Sequence, residues 1–435
     1  MMDNTLNRND NVFFNRNFRL VFFGALVSEL GALLFNFAVS FYILEITGSN
    51  AFEQGLYLAV CGASMLLFTP LGGVLGERFN KAVIMYICDF IKGGMIILAA
   101  VFMLLFNDPG LHIAILFVLG ILSNAAAGIF TPASGALFPH IVQDRQLQQA
   151  NAYITMKNSL EGILGVILAG ILYSALPICT LFVLVGLCYT ASGISELFIR
   201  YDHHPSPEKL TLKAAFRDMR SGLAYLRSQK AIMVMIGAIL FINFFSAPLM
   251  NNFIPYFIKT DLAHAPSYLL DGALTPELWS SVFSVCFGIS SLIGALLMSA
   301  RPQEQKCGYK TALRLCLYAG VMIMATLSFW QLVDRGISLN AFLVVFSIGC
   351  LLLGCLVSCI NIPILTAMMR IVDKDMLSKV TSIGAVGSQG MIPLASLLAG
   401  VVLGSLGSTP LLAFCSLGFT ATALFLLGNR SIREF

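Results

Sequence analysis

Charge is scarce in this chain. Asp, Glu, Lys and Arg together supply 11% of its 435 residues, against about 25% in soluble domains. With 58% hydrophobic residues and a mean hydropathy of +0.85, that shortage excludes an ordinary water-soluble fold. The net charge of +4 comes from residues flanking apolar runs, not from one basic face, so no nucleic-acid partner is expected. Eleven cysteines are present, yet none form a C-x-x-C pair and most lie inside apolar runs. They read as small packing residues, which excludes a disulfide framework and a thiolate metal site. Five histidines are dispersed, and even His203-His204 lacks a third ligand nearby. Neither a nucleophile-base pair nor a phosphate loop is visible, so an enzyme is disfavoured and no metal or cofactor is expected.

What the sequence does have is long apolar runs. The first, residues 18–46, is too long for a signal peptide and lacks a small-x-small cleavage site. Further runs at about 55–73, 82–106, 111–130, 152–176 and 178–199 are separated by turn signals such as Thr47-Gly48-Ser49-Asn50 and Asn107-Asp108-Pro109-Gly110. A charged interruption at 200–230 follows. In it Thr211 is placed to cap an amphipathic helix with Leu212, Phe216, Met219 and Leu223 on one side and Lys213, Arg217 and Arg220 on the other. Six more runs, at about 231–258, 279–300, 312–333, 338–369, 380–404 and 410–427, complete the plan. The expected architecture is an all-α polytopic membrane protein, with twelve transmembrane helices in two pseudo-symmetric six-helix bundles. Residues 1–17 form an amino-terminal tail, 18–199 one bundle, 200–230 the linker, 231–427 the other bundle and 428–435 a carboxy-terminal tail.

Two features of the whole chain support this plan. All but three of the 26 lysines and arginines (Lys92, Lys259 and Arg335) fall in or beside the segments that face one side if the amino terminus is cytoplasmic; both termini are therefore expected inside. Shifted by 230 residues, Ile141-Val142 falls on Ile371-Val372, Leu147 on Leu377 and Leu168-Ala169-Gly170 on Leu398-Ala399-Gly400. In-register matches over a loop and the next helix are what duplicated six-helix halves produce.

The short charged turn between the second and third runs, Gly73-Val74-Leu75-Gly76-Glu77-Arg78-Phe79-Asn80-Lys81, makes its flanking helices antiparallel neighbours. The glycines at 72, 73 and 76 permit close helix approach. This turn resembles the loop 2-3 signature of the major facilitator superfamily, G-x-x-x-(D/E)-(R/K)-x-G-(R/K)-(R/K), through Gly73, Glu77, Arg78 and Lys81. It departs from that signature at Glu77, where Asp is usual, and at Asn80, where the second glycine is expected. Phe130-Thr131-Pro132-Ala133 with Leu137-Phe138-Pro139, Ile141-Val142, Leu147 and Ala150-Asn151 is similar to a stretch of the macrolide-efflux-like drug:proton antiporter branch. Ser221-Gly222-Leu223-Ala224-Tyr225-Leu226 resembles that branch's linker, and Leu44-Glu45-Ile46-Thr47-Gly48-Ser49 its first external turn. In the fifth helix Gly162, Gly165 and Gly170 match an antiporter glycine pattern, but Val166 replaces its proline. The resemblance is fullest over the first 230 residues. It implies a bacterial inner-membrane exporter of drugs, siderophores or similar amphiphiles.

Ionisable groups at bilayer depth are costly and mark functional sites. Glu29 lies about 14 Å into the first helix and Glu161 about 12 Å into the fifth, at the helical rise. Glu29 has no basic residue at i±3 or i±4 and is the principal proton-binding candidate. Glu161 has Lys157 four residues before it, and either pairs with it or binds protons itself. Asp89 and Lys92, at i and i+3, can neutralise each other, and Asp89 joins Gly73, Glu77, Arg78 and Lys81 in the proposed gating motif. Glu196, near Arg200, reads as interfacial. Asn36, Asn243, Asn361 and Gln389 are the polar candidates for substrate or helix contacts, and Phe37, Phe41, Phe244 and Phe245 could line an apolar cavity.

The favoured function is a proton-coupled exporter of amphiphilic small molecules working by alternating access, with protons, substrate and the lipid bilayer as partners and a monomer as the working form. A lysophospholipid or other lipid flippase on the same fold is the nearest alternative. A non-transporting membrane receptor or scaffold is the alternative of another class.

Overall fold

The computed structural model describes residues 12–143, 147–201, 220, 223–262, 276–299, 307–335, 339–372 and 374–429. Most of the expected linker helix and most of the 260–278 loop lie outside these residues. All regular structure among them is helical. Helices satisfy every backbone hydrogen bond within the segment, which an apolar solvent demands. In chain order they are α1 (Arg16–Ile46), α2 (Ala51–Arg78), α3 (Lys81–Leu105), α4 (Pro109–Ile141), α5 (Leu147–Leu160), α6 (Val166–Ala175), α7 (Ile178–Leu197), α8 (Lys230–Pro248), α9 (Ile254–Phe257), α10 (Pro276–Ser299), α11 (Cys307–Arg335), α12 (Leu339–Ile371), α13 (Lys374–Leu406) and α14 (Ser408–Gly428).

Eleven helical segments are long and apolar enough to cross a membrane, and Gly390–Leu406, inside α13, is a shorter apolar stretch. The first part of α13 carries Lys374, Asp375, Lys379, Gln389 and several hydroxyl side chains, which shortens its apolar portion. Two spans are built from more than one helix. A π-turn, Glu161–Gly165, joins α5 to α6; a second, Leu249–Phe253, joins α8 to α9, and a third, Ile258–Leu262, follows α9. Pro248 ends α8; a proline lacks the N–H for the regular helical ladder, and a wider turn absorbs the defect. Other expectations shift at the ends. In the described part of the expected tail, Val12–Phe14 forms a 3-10 turn, the Phe13 ring lies 4.4 Å from that of Tyr153, and Asn15 donates to the Ile141 carbonyl at 2.6 Å. The fourth helix does not stop near 130 but continues to Ile141.

The chain divides into two compact units, one of residues 1–39 and 63–215, the other of 40–62 and 216–435. Ser40–Gly62 groups with the second unit. Glycine explains why. A Cβ on Gly55 would come within 2.6 Å of the Ser396 carbonyl oxygen and 2.8 Å of the Gly400 Cα, so α2 and α13 meet backbone to backbone. Within the first unit α2 and α4 do the same: a Cβ on Gly72 would lie 2.7 Å from the Gly128 carbonyl oxygen, and one on Gly128 2.6 Å from that of Met65. Close approach of small residues replaces the hydrophobic effect as the source of helix adhesion in lipid. The outward faces are apolar, with Leu67, Leu104, Leu105 and Leu417 about two-thirds exposed.

In the second unit, Phe253, Phe257, Phe283, Phe329, Phe342 and Phe346 form one connected set of rings, with Phe283 and Phe346 4.8 Å apart. Edge-to-face geometry dominates there, the arrangement aromatic quadrupoles favour.

Gly128→Ala is expected to lower the thermal midpoint of the detergent-solubilised protein, since overpacking a tight contact costs about 1–3 kcal/mol. Gly94→Ala, where an added Cβ meets nothing within 4 Å, is expected to leave it unchanged. Equal midpoints for the two variants would contradict the packing described.

Candidate functional site

Glu29, Lys157 and Glu161 converge in the first unit. Gly165, closing the π-turn, lets α1 come close: a Cβ there would meet Leu33 at 2.6 Å and Leu30 at 3.2 Å. That approach brings Glu29 of α1 to Lys157 of α5, 128 positions away in sequence. The Lys157 Nζ lies 2.6 Å from Glu29 Oε2 and 3.2 Å from Glu161 Oε1. Glu29 therefore has a basic partner that no local spacing could reveal, and Glu161 is paired with Lys157 as well. Their surroundings differ: the Glu29 side chain is 48% exposed, whereas Lys157 and Glu161 are at 4% and 5%. Asn36, also exposed, stands two turns beyond Glu29 on the same side of α1.

One ammonium between two carboxylates leaves a formal charge of −1 when all three groups are ionised. Breaking a buried pair costs about 3–5 kcal/mol, while a solvated one is worth about 0–1 kcal/mol. The buried Lys157–Glu161 pair is therefore the costlier of the two to break, and Glu29 is the exposed member of the cluster. Binding one proton brings the cluster to neutrality, and losing it restores the charge.

The turn at 79–80 is organised by one of its departures from the family pattern. Asn80 caps α3, its side chain accepting from the Ala82 and Val83 amides at 3.0 and 3.5 Å; a glycine could not do this. The Lys81 amide donates to the Tyr201 hydroxyl at 2.8 Å, and the Lys81 side chain is buried. Burial pushes the Tyr201 phenol above its ordinary value, and the Lys81 amide it accepts opposes that shift. The side chains of Gly73, Glu77 and Arg78 lie outside those described, as does that of Gln389.

Asp89 is fully buried and pairs with Lys92 at 3.1 Å. The Lys92 ammonium sits over the rings of Tyr189, at 4.5 Å, and Phe130, at 4.9 Å. Glu196, expected near the interface, lies in the last turn of α7 and is buried, with only 1% of it exposed. As the sole acid in α7, it was marked by the apolar sequence around it, although its nearness to Arg200 pointed outward.

In the second unit a cavity of about 230 Å³ is lined chiefly by α8, α11, α12 and the π-turn after Pro248, with one residue each from α9, α10 and α14. Asn243 and Asn361 both face it, with Ser246, Tyr318, Phe253 and Phe346. None of its lining residues is charged. Asn243 donates to the Ile239 carbonyl of its own helix at 2.9 Å, whereas Asn361 is exposed to the cavity. Of the expected cavity-lining rings, Phe41 is buried in packing, Phe37 meets Tyr173, and Phe244 meets Phe245 edge to face, while Phe245 lines a separate apolar groove with Met233, Phe241 and Phe425. At the far end of the same unit Lys259 bridges Glu45 and Glu277, at 3.1 Å each, and the Gln54 amide donates to Ser40 at 2.7 Å and to the Asn251 carbonyl at 3.4 Å.

Residues 21–396 match the family model described as Major Facilitator Superfamily. The MFS-type transporter YkuC of Bacillus subtilis (strain 168) is 23% identical over 383 residues, covering 85% of this chain and 81% of that protein. Macrolide efflux protein A of Streptococcus pyogenes is 23% identical over 303 residues, 67% of this chain and 69% of its own length. Among solved structures, the nucleoside transporter NupG superposes with a TM-score of 0.75 at 11% identity, covering 94% of this chain and 99% of that one. A bacterial homologue of the iron transporter ferroportin in its inward-facing state gives 0.71 at 14% identity, covering 94% and 98%.

Lys157→Met removes the shared ammonium and leaves the buried Glu161 without a counter-ion. The variant is expected to unfold at a markedly lower temperature in detergent, and Lys157→Met combined with Glu161→Gln to recover most of the loss. A single and a double variant of equal stability would show that the pair is not coupled.

Proposed function

Because the chain belongs to the Major Facilitator Superfamily, we propose that it is a proton-coupled exporter of amphiphilic small molecules. The proton binds in the Glu29–Lys157–Glu161 cluster and the apolar part of the substrate in the cavity around Asn243 and Asn361. The observation that carries this reading is one lysine shared by a buried and a half-exposed carboxylate. Such a cluster changes its net charge by a single protonation, and charge at membrane depth is the quantity that biases a conformational equilibrium.

The charge-free cavity suits an uncharged ring system or acyl segment, with two amides, a hydroxyl and a phenol to orient it. At about 230 Å³ it holds part of a drug-sized molecule. The similarity to macrolide efflux protein A supports export over uptake. In this reading residues 18–199 and 231–427 are the two six-helix halves, the 200–230 segment links them on the cytoplasmic side, and both termini are cytoplasmic. The protein works as a monomer in a bacterial inner membrane, without cofactor. The turn carrying Gly73, Glu77, Arg78 and Lys81, with Asp89 behind it, gates the cytoplasmic side, and the Lys259 network gates the external one.

Glu29→Gln keeps the shape of the side chain but leaves Lys157 and Glu161 as a neutral pair with no need of a proton. In inside-out vesicles the wild type is expected to accumulate a macrolide or an amphiphilic dye when the lumen is acidified, and to lose that accumulation when a protonophore collapses the gradient. The Glu29→Gln protein, inserted at equal levels, is expected to lose at least tenfold in gradient-driven accumulation and to show a flat pH profile. Accumulation by this variant with the wild-type pH dependence would refute the assignment. Movement of headgroup-labelled lysophospholipid without dye transport would replace the exporter with a flippase.

A further inference from the structure

The first unit contains a second group of two carboxylates and one lysine, which the transport reading uses only through Asp89. We propose that Asp89, Lys92 and Glu196 form a separate proton-binding site, in which the Glu196 carboxyl carries the proton. All three are buried, with 0%, 6% and 1% of each exposed. Lys92 is committed to Asp89 at 3.1 Å and to the faces of Tyr189 and Phe130. Both Glu196 carboxyl oxygens are buried and accept no hydrogen bond from any described group.

Charge and solvation decide the state. Asp89 and Lys92 neutralise each other, so an ionised Glu196 would be a net −1 in a water-excluded layer, without hydrogen bonds. Such a group takes up a proton instead of paying several kcal/mol of desolvation. Its surroundings reinforce the choice. From α3 it faces Cys88, Asp89 and Lys92; its own helix adds Tyr189 and Ser192 around the same pair; α4 adds the uncharged Phe130 ring. The carboxylate of Glu29 on α1 also contributes negative potential at Tyr189. Uptake converts one carboxylate to a carboxyl, with the proton drawn from water when the layer is wetted.

The site is tested without substrate, so its outcome is independent of whether the protein pumps. Infrared spectra of purified full-length protein at neutral pH resolve protonated carboxyl groups from carboxylates by their C=O stretch. The parent is the Glu29→Gln/Glu161→Gln variant, in which the other cluster needs no proton. Adding Glu196→Gln is expected to remove a protonated-carboxyl band present in the parent. Adding Lys92→Met instead is expected to enlarge that band, because Asp89 then takes up a proton too. A parent without the band, or a band untouched by Glu196→Gln, would overturn the proposal. A band unchanged by Lys92→Met would overturn it as well, and this arm stands if the Glu196 variant does not fold.

Discussion

An ammonium group shared by two carboxylates at membrane depth is the interaction on which the rest of this structure depends. Charge in an apolar layer must be paired, neutralised or wetted, and Lys157, itself buried, is paired twice. It is paired with a buried acid and also with one open to its surroundings, and its net balance turns on one proton. The local fold serves that arrangement. The π-turn begins at Glu161 and ends at Gly165, where a Cβ would press on the Leu33 and Leu30 side chains of α1. π-turns inside helices recur at functional sites, and this one starts at a member of the charged cluster.

The two units divide the chemistry. Described ionisable side chains that are buried within membrane helices cluster around two lysines of the first unit, whereas the cavity of the second is lined by aromatic rings, aliphatic side chains and a few uncharged polar groups. That separation suits the proposed exporter. A cavity without charge accepts apolar molecules of varied shape. Under that proposal the two sites communicate through conformation, and substrate and proton lower each other's affinity by the same factor.

Much of the fold was legible in the sequence, because apolar runs bounded by turn signals and an asymmetric distribution of basic residues are one-dimensional features. The segments that went astray are those where local signals were overridden. Pro132 and Pro139 lie in a continuous α4, and the run expected over 231–258 is broken after Pro248 by a π-turn. At the site, the sequence pointed to Glu29 and Glu161 through their cost, and to Lys157 only through its spacing from Glu161. The Glu29–Lys157 contact joins different helices and has no one-dimensional signature. Asn80 looked like a defect in the family pattern, yet it is the residue that caps α3. Glu196 was misplaced because distance along the chain from Arg200 is a poor guide to burial once a helix packs its last turn against a neighbour. Asn243 and Asn361 could be singled out as polar groups in apolar helices, but their shared cavity required the packing of several helices around a π-turn.

The central claim is that the Glu29–Lys157–Glu161 cluster holds the proton that substrate displaces. Its most direct test is to add a transported substrate to purified protein in weakly buffered detergent solution and follow the pH. The wild type is expected to release protons in proportion to substrate bound, and Glu161→Gln to bind the same substrate with no release. Equal proton release by wild type and Glu161→Gln would place the coupling proton elsewhere and contradict the account.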